Sequence, residues 1–149
     1  MINKFICFLS VTIIVSFLGL NVNAAVLPDG DDTERLVGLW FGTHQQDGID
    51  GDIQTLTKFN PDGTFLIRFR LVQGGKAVGE QSESGTWELK NNIKTMVTTH
   101  IGVHPLPQDK VITDSYTIYK LTNTEMHYEH IKTGTRFKAT RVQEGFVFP

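Results

Sequence analysis

Thr57-Lys58-Phe59-Asn60-Pro61-Asp62-Gly63-Thr64-Phe65-Leu66-Ile67-Arg68-Phe69 decides the fold, because a whole β-hairpin is written in it. Pro61 presets φ for the first central position of a type I turn, Asp62 suits the second, and Gly63 can take the left-handed conformation that closes a bulged hairpin. On the return strand Phe65, Ile67, Phe69 and Leu71 share one face while Arg68 and Arg70 share the other. That two-residue period marks an antiparallel sheet wet on one side.

The same rhythm extends outward from the hairpin, whose strands span 53–59 and 64–72. Before it, 36–44 reads as a first strand with Trp40 on one face and Val37, Leu39 and Phe41 on the other, followed by a long acidic loop over 45–52. After it, Gln73-Gly74-Gly75-Lys76 turns into a fourth strand, 77–89, which carries Gly85-Thr86-Trp87 near its end. Lys90-Asn91-Asn92 turns the chain again, and Ile93, Thr95, Val97, Thr99, Ile101 and Val103 then alternate with Lys94, Met96, Thr98 and His100. Pro105 and Pro107 interrupt the pairing. Strands over 111–121, 126–131 and 135–142 complete the set and leave Phe146, Val147 and Phe148 as an apolar tail. The only helix expected is one turn near residues 33–37. About eight sequential strands with short turns predict an all-β, antiparallel up-and-down meander, and closure into a barrel removes its two exposed edges.

The start of the chain has a different character. Lys4 gives a positive start, residues 5–20 form an apolar run too short for a membrane span, and Val22-Asn23-Ala24 supplies a small-residue cleavage pattern. Residues 1–24 are therefore read as a signal peptide and 25–149 as one barrel domain, secreted or periplasmic, with no transmembrane anchor after leader removal. The single cysteine, Cys7, lies in that leader, so the core must supply stability without disulfides. Losing Lys4 takes the formal charge from −2 to −3. That charge argues against nucleic acid as a partner, since phosphate binding needs a basic surface.

With the strands placed, Leu36-Val37-Gly38-Leu39-Trp40 resembles the Gly-x-Trp opening of lipocalins and the wider calycin barrels. Phe59 to Phe65 and Gly85 to Trp87 are similar to the hairpin and the later Gly-Thr-Trp of small exported bacterial lipocalin-like domains. The resemblance implies an eight-stranded lipocalin-like barrel that holds a small hydrophobic molecule. It also implies that Arg141, late in the last strand, packs across Trp40 and closes the narrow end. In an up-and-down barrel the connections after strands one, three, five and seven share a rim. The loops at 45–52, 73–76, 104–110 and 132–134 include all the long ones, so the binding mouth is expected there.

Phe65, Ile67 and Phe69 are the expected ligand-contacting walls, with His44, His104 and His130 at the rim and Trp40 and Arg141 as the structural plug. Neutral imidazoles gathered at a mouth could hold a transition metal or haem iron. No short metal-ligand spacing is met, so exposed strand-end residues account for the histidines better than a metal site does, and no cofactor is expected. Asp47, Asp50 and Asp52 lack calcium-loop spacing and read as a solvated loop. The mature chain has no cysteine nucleophile, no Gly-x-Ser-x-Gly and no Gly-rich phosphate loop, so an enzyme is not expected. The sequence thus predicts a carrier of a small apolar or amphipathic molecule. The alternative is an envelope protein-interaction module of the enzyme-inhibitor type, acting through its rim loops with its barrel filled.

Overall fold

A computed structural model describes residues 32–149; the signal-peptide reading of 1–24 lies outside the described residues. A short helix, α1 (Asp32–Leu36), leads into β1 (Gly38–His44), β2 (Asp52–Phe59), β3 (Thr64–Gln73), β4 (Lys76–Lys90), β5 (Ile93–Ile101), β6 (His104–Pro105), β7 (Ile112–Leu121), β8 (Glu125–His130) and β9 (Arg136–Val142). All pairings are antiparallel. β1 pairs with both β2 and β9, and β4 pairs with β5, so eight strands close into a barrel. The additional strand, β6, is a two-residue return onto the end of β5 at the edge of the sheet, where a proline is tolerated because its missing N–H leaves no ladder partner unpaired.

The turn at 60–63 sets the register of the opening hairpin. Gly63 (φ 79°) donates to the Asn60 carbonyl at 3.2 Å, and Phe59 sits opposite Phe65. Phe65, Ile67, Phe69 and Leu71 therefore face the lumen opposite Phe59, Thr57, Thr55 and Ile53. Arg68 and Arg70 point outward, where the C-terminal tail lays one ring against both. The Phe148 ring lies 5.1 Å from the Arg68 guanidinium and 4.4 Å from that of Arg70, and Phe146 packs on Phe41. The tail thus rests on part of an outer face that hydropathy leaves to solvent.

β5 shows where alternation stops being informative. Its more apolar set, Ile93, Thr95 and Val97, is the less buried one, whereas Lys94, Met96 and Thr98 are buried. The Asn91-Asn92 turn decides this. Both residues have positive φ (49° and 63°), as a two-residue hairpin turn demands, and the register that follows sets Leu89 opposite Lys94 and Trp87 opposite Met96. Because Trp87 points into the core, Met96 and Lys94 must point there too.

At the closed end Trp40, 1% exposed, donates from its indole Nε1 to the Leu36 carbonyl at 2.8 Å. The Arg141 guanidinium lies 4.4 Å from the Trp40 ring centroid and donates to the carbonyls of Val37, Arg35 and Asn123. A Cβ on Gly38 would run into that guanidinium, and its φ of 131° is one few other residues adopt. The glycine two residues before Trp40 is therefore required by the arginine that covers the tryptophan.

Candidate functional site

The lumen has two unlike halves. On the side of β1 to β4 a cavity of about 120 Å³ opens at the long-loop rim, walled by Ile49, Ile53, Phe69 and Leu71, with His44, Gln81 and Glu83 among its polar groups. His44 comes from the last residue of β1 and stands edge-on to Phe137 at 4.9 Å. Burial lowers its pKa, so the imidazole is neutral near physiological pH.

Glu83 is the least expected member. It shares a β4 face with Gly85 and Trp87, which turns it inward, and only 6% of it is exposed. Oε1 accepts from Gln81 Nε2 at 3.0 Å and Oε2 from Thr98 Oγ1 at 3.4 Å. Among the described residues no cation pairs with it. Burial, reinforced by the charge of Asp114, raises its pKa against the opposing effect of the two hydrogen bonds.

The side of β5 to β9 is filled. Lys94, 2% exposed, places Nζ 4.0 Å from the Tyr128 ring centroid, 4.8 Å from that of Tyr116 and 5.1 Å from that of Phe59. Phe59 belongs to β2 and Tyr128 to β8, so the ammonium sits between opposite walls and obstructs the lumen. Desolvation pushes its pKa down to about 7. Tyr128 stacks on Phe137 at 5.1 Å and meets Tyr116 edge-on at 5.5 Å; burial raises the pKa of both phenols, which stay protonated.

A family model described as a lipocalin-like domain matches residues 36–128, well over half of the chain. The chain belongs to the lipocalin-like domain family. A search of curated proteins gave no match. The matched span includes every cavity residue and Lys94, whereas His130 and Arg141 lie beyond it.

Within this lipocalin-like barrel the residues singled out from sequence separate into three groups. Phe69 and His44 line the cavity. Phe65 and Ile67 face the same lumen deeper in, where Phe65 is part of the closed-end core with Trp40 and Phe59, and Ile67 packs against that core. The two remaining histidines do not reach the cavity. His130 is consumed structurally, its Nδ1 2.8 Å from Thr133 Oγ1 and its Nε2 3.2 Å from Asp114 Oδ1. His104 is exposed on β6, because the turn at 102–103 folds it back along β5. His44 and His130 stand at the two ends of a chain of ring contacts running through Phe137 and Tyr116. Among the described residues no three His, Cys, Asp or Glu side chains form a group that could hold a metal, and no helix is long and apolar enough to cross a membrane.

Sequence reasoning missed Glu83 and Lys94 as lumen residues. Charged side chains on strands read as solvated, but Glu83 lies four residues before Trp87 and Lys94 opposite Leu89. Counting face parity from the tryptophan through the two-residue turn would have turned both inward.

Proposed function

We propose that this lipocalin-like domain is an exported carrier that holds a small, predominantly apolar molecule in its rim cavity and acts by binding rather than by catalysis. The observation that supports it is the cavity itself, open at one end and bounded by Ile49, Ile53, Phe69 and Leu71. Its size limits the cargo. A dry protein cavity of about 150 Å³ accommodates benzene, so about 120 Å³ seats one ring or a short alkyl segment, and anything as large as haem would stand outside. Burying about 100 Å² of apolar ligand surface yields roughly 2.5 kcal/mol before ordering costs, so the apolar walls alone hold a ligand weakly. A polar contact must add the rest.

Export is supported by the leader pattern ending at Val22-Asn23-Ala24, and the proposal is a carrier acting in the secreted or periplasmic space. One observation favours the second reading, an envelope protein-interaction module: Val103 is 86% exposed and Ile131 52% exposed, both on loops of the open end. Native mass spectrometry of the mature protein from its own host separates the two. The carrier predicts an added mass of a small molecule that disappears on denaturation. A bare chain, seen repeatedly under gentle conditions, would overturn the carrier and direct attention to co-purifying envelope proteins.

A further inference from the structure

The cavity's polar groups say which ligands it suits. Glu83 lines it on the inward face of β4, more than nine-tenths buried, and each carboxylate oxygen accepts one neutral hydrogen bond, from Gln81 and from Thr98. A carboxylate can accept about four. The other charged or titratable groups around it do not supply a counter-charge. Glu80 also lines the cavity, but its carboxylate is taken up by Arg70 at 2.7 Å, so that guanidinium is engaged by Glu80; Asp114 and Tyr116 act on Glu83 from β7, and His44, neutral, lines the same cavity. Lys94, the one buried lysine of the barrel, is held against three rings, and no ion pair joins it to Glu83 among the described residues. Burying a carboxylate without a cation is costly, and the site leaves that cost standing.

The geometry points to an amine-binding pocket: the ligand's apolar body fills the space between Ile53, Phe69 and Leu71, and its ammonium group meets Glu83. This rests on the carrier reading and names its ligand class. The ammonium donates to the free lone pairs of Glu83, a charge-assisted contact about twice as strong as a neutral one, while Phe69 and Leu71 exclude water from it. A carboxylate of the same size meets the buried acid Glu83 instead of a cation, so it is rejected.

Three compounds that share one ring and differ in head group test this: benzylamine, benzyl alcohol and benzoate, titrated calorimetrically into the wild-type protein near neutral pH. Benzylamine is expected to bind at least about tenfold more tightly than benzyl alcohol, with benzoate weakest. Glu83→Gln should bring benzylamine to within about threefold of the alcohol, and Ile53→Trp should abolish binding of all three by filling the cavity. Should Glu83→Gln fail to fold, carbon-13 NMR of the wild-type Glu83 carboxyl reads the same contact: its titration should move to lower pH with benzylamine and stay put with benzyl alcohol. Equal affinities for the three compounds, or benzoate binding tightest, would overturn the amine preference and leave the carrier intact. Failure of all three to bind would overturn both.

Discussion

The two halves of this lumen bury opposite charges and do not join them. Among the described residues, the half bounded by β1 to β4 keeps a cavity and a carboxyl group without a paired cation; the half bounded by β5 to β9 is filled, and its ammonium rests on aromatic faces without a paired anion. Had Glu83 and Lys94 met, the barrel would contain an ordinary buried ion pair and little else of interest. Kept apart, each leaves a specific property behind: a polar contact available to a ligand on one side, and a plug whose charge depends on pH on the other. Cation–π contact stabilises a desolvated ammonium by about 2 kcal/mol, less than its dehydration costs, which is why Lys94 tends to lose its proton.

The largest expected effect lies at the closed end. Trp40→Ala should cost about 3–5 kcal/mol, the usual loss for a buried aromatic, and should lower the melting temperature by more than about 10 °C. It removes the indole hydrogen bond to Leu36 and the surface on which Arg141 rests. An unchanged melting curve would refute its role as the plug.

Next comes Lys94→Met, with the opposite sign. Methionine keeps most of the stem and removes the charge, and replacing unfavourably buried charges by apolar groups stabilises by about 1–4 kcal/mol. The pH dependence makes the test specific. With the native amine at about 7 and the unfolded one near 10.5, the unfolded chain binds more protons between those values, so wild-type stability rises with pH across that window. The slope is at most about 1.4 kcal/mol per unit. Urea denaturation at several pH values should show this rise in the wild type and a flat line in Lys94→Met. A variant that keeps the slope would place its origin elsewhere.

Most of the barrel was legible because its signals are local. The turn at 60–63 fixed one hairpin, prolines marked the break after β5, and the alternation of long and short loops located the open rim where the cavity lies. Trp40 and Arg141 were paired through family resemblance, and they do touch. What hydropathy could not supply was the side of the sheet on which a mixed strand turns its charges. In β5 the residue volume and polarity of Ile93 and Val97 suggest a core face, yet the register from Trp87 through Asn91-Asn92 overrides them. His130 was likewise placed at the rim by sequence, but its engagement by Asp114 and Thr133 depends on partners sixteen and three residues away, which no periodicity encodes.

The smallest effect sharpens the contrast most. The raised carboxyl of Glu83 means that the native protein holds its proton at pH values where the unfolded chain has lost it. Stability due to this group is therefore highest below the unfolded value near 4.5 and declines as pH rises through the native value, by less than about 1.4 kcal/mol per unit. Glu83→Gln should remove that decline while leaving the rise above pH 7 untouched, and Lys94→Met should do the reverse. Asp114 is the link between the halves, since its charge on β7 helps to raise Glu83. Melting in the presence of saturating benzylamine should invert the lower slope in the wild type, because the ionised carboxylate is the form that binds the ammonium. If one substitution flattened both slopes, the acid and the amine would be titrating as a single unit, and the division of the lumen into two independent halves would fail.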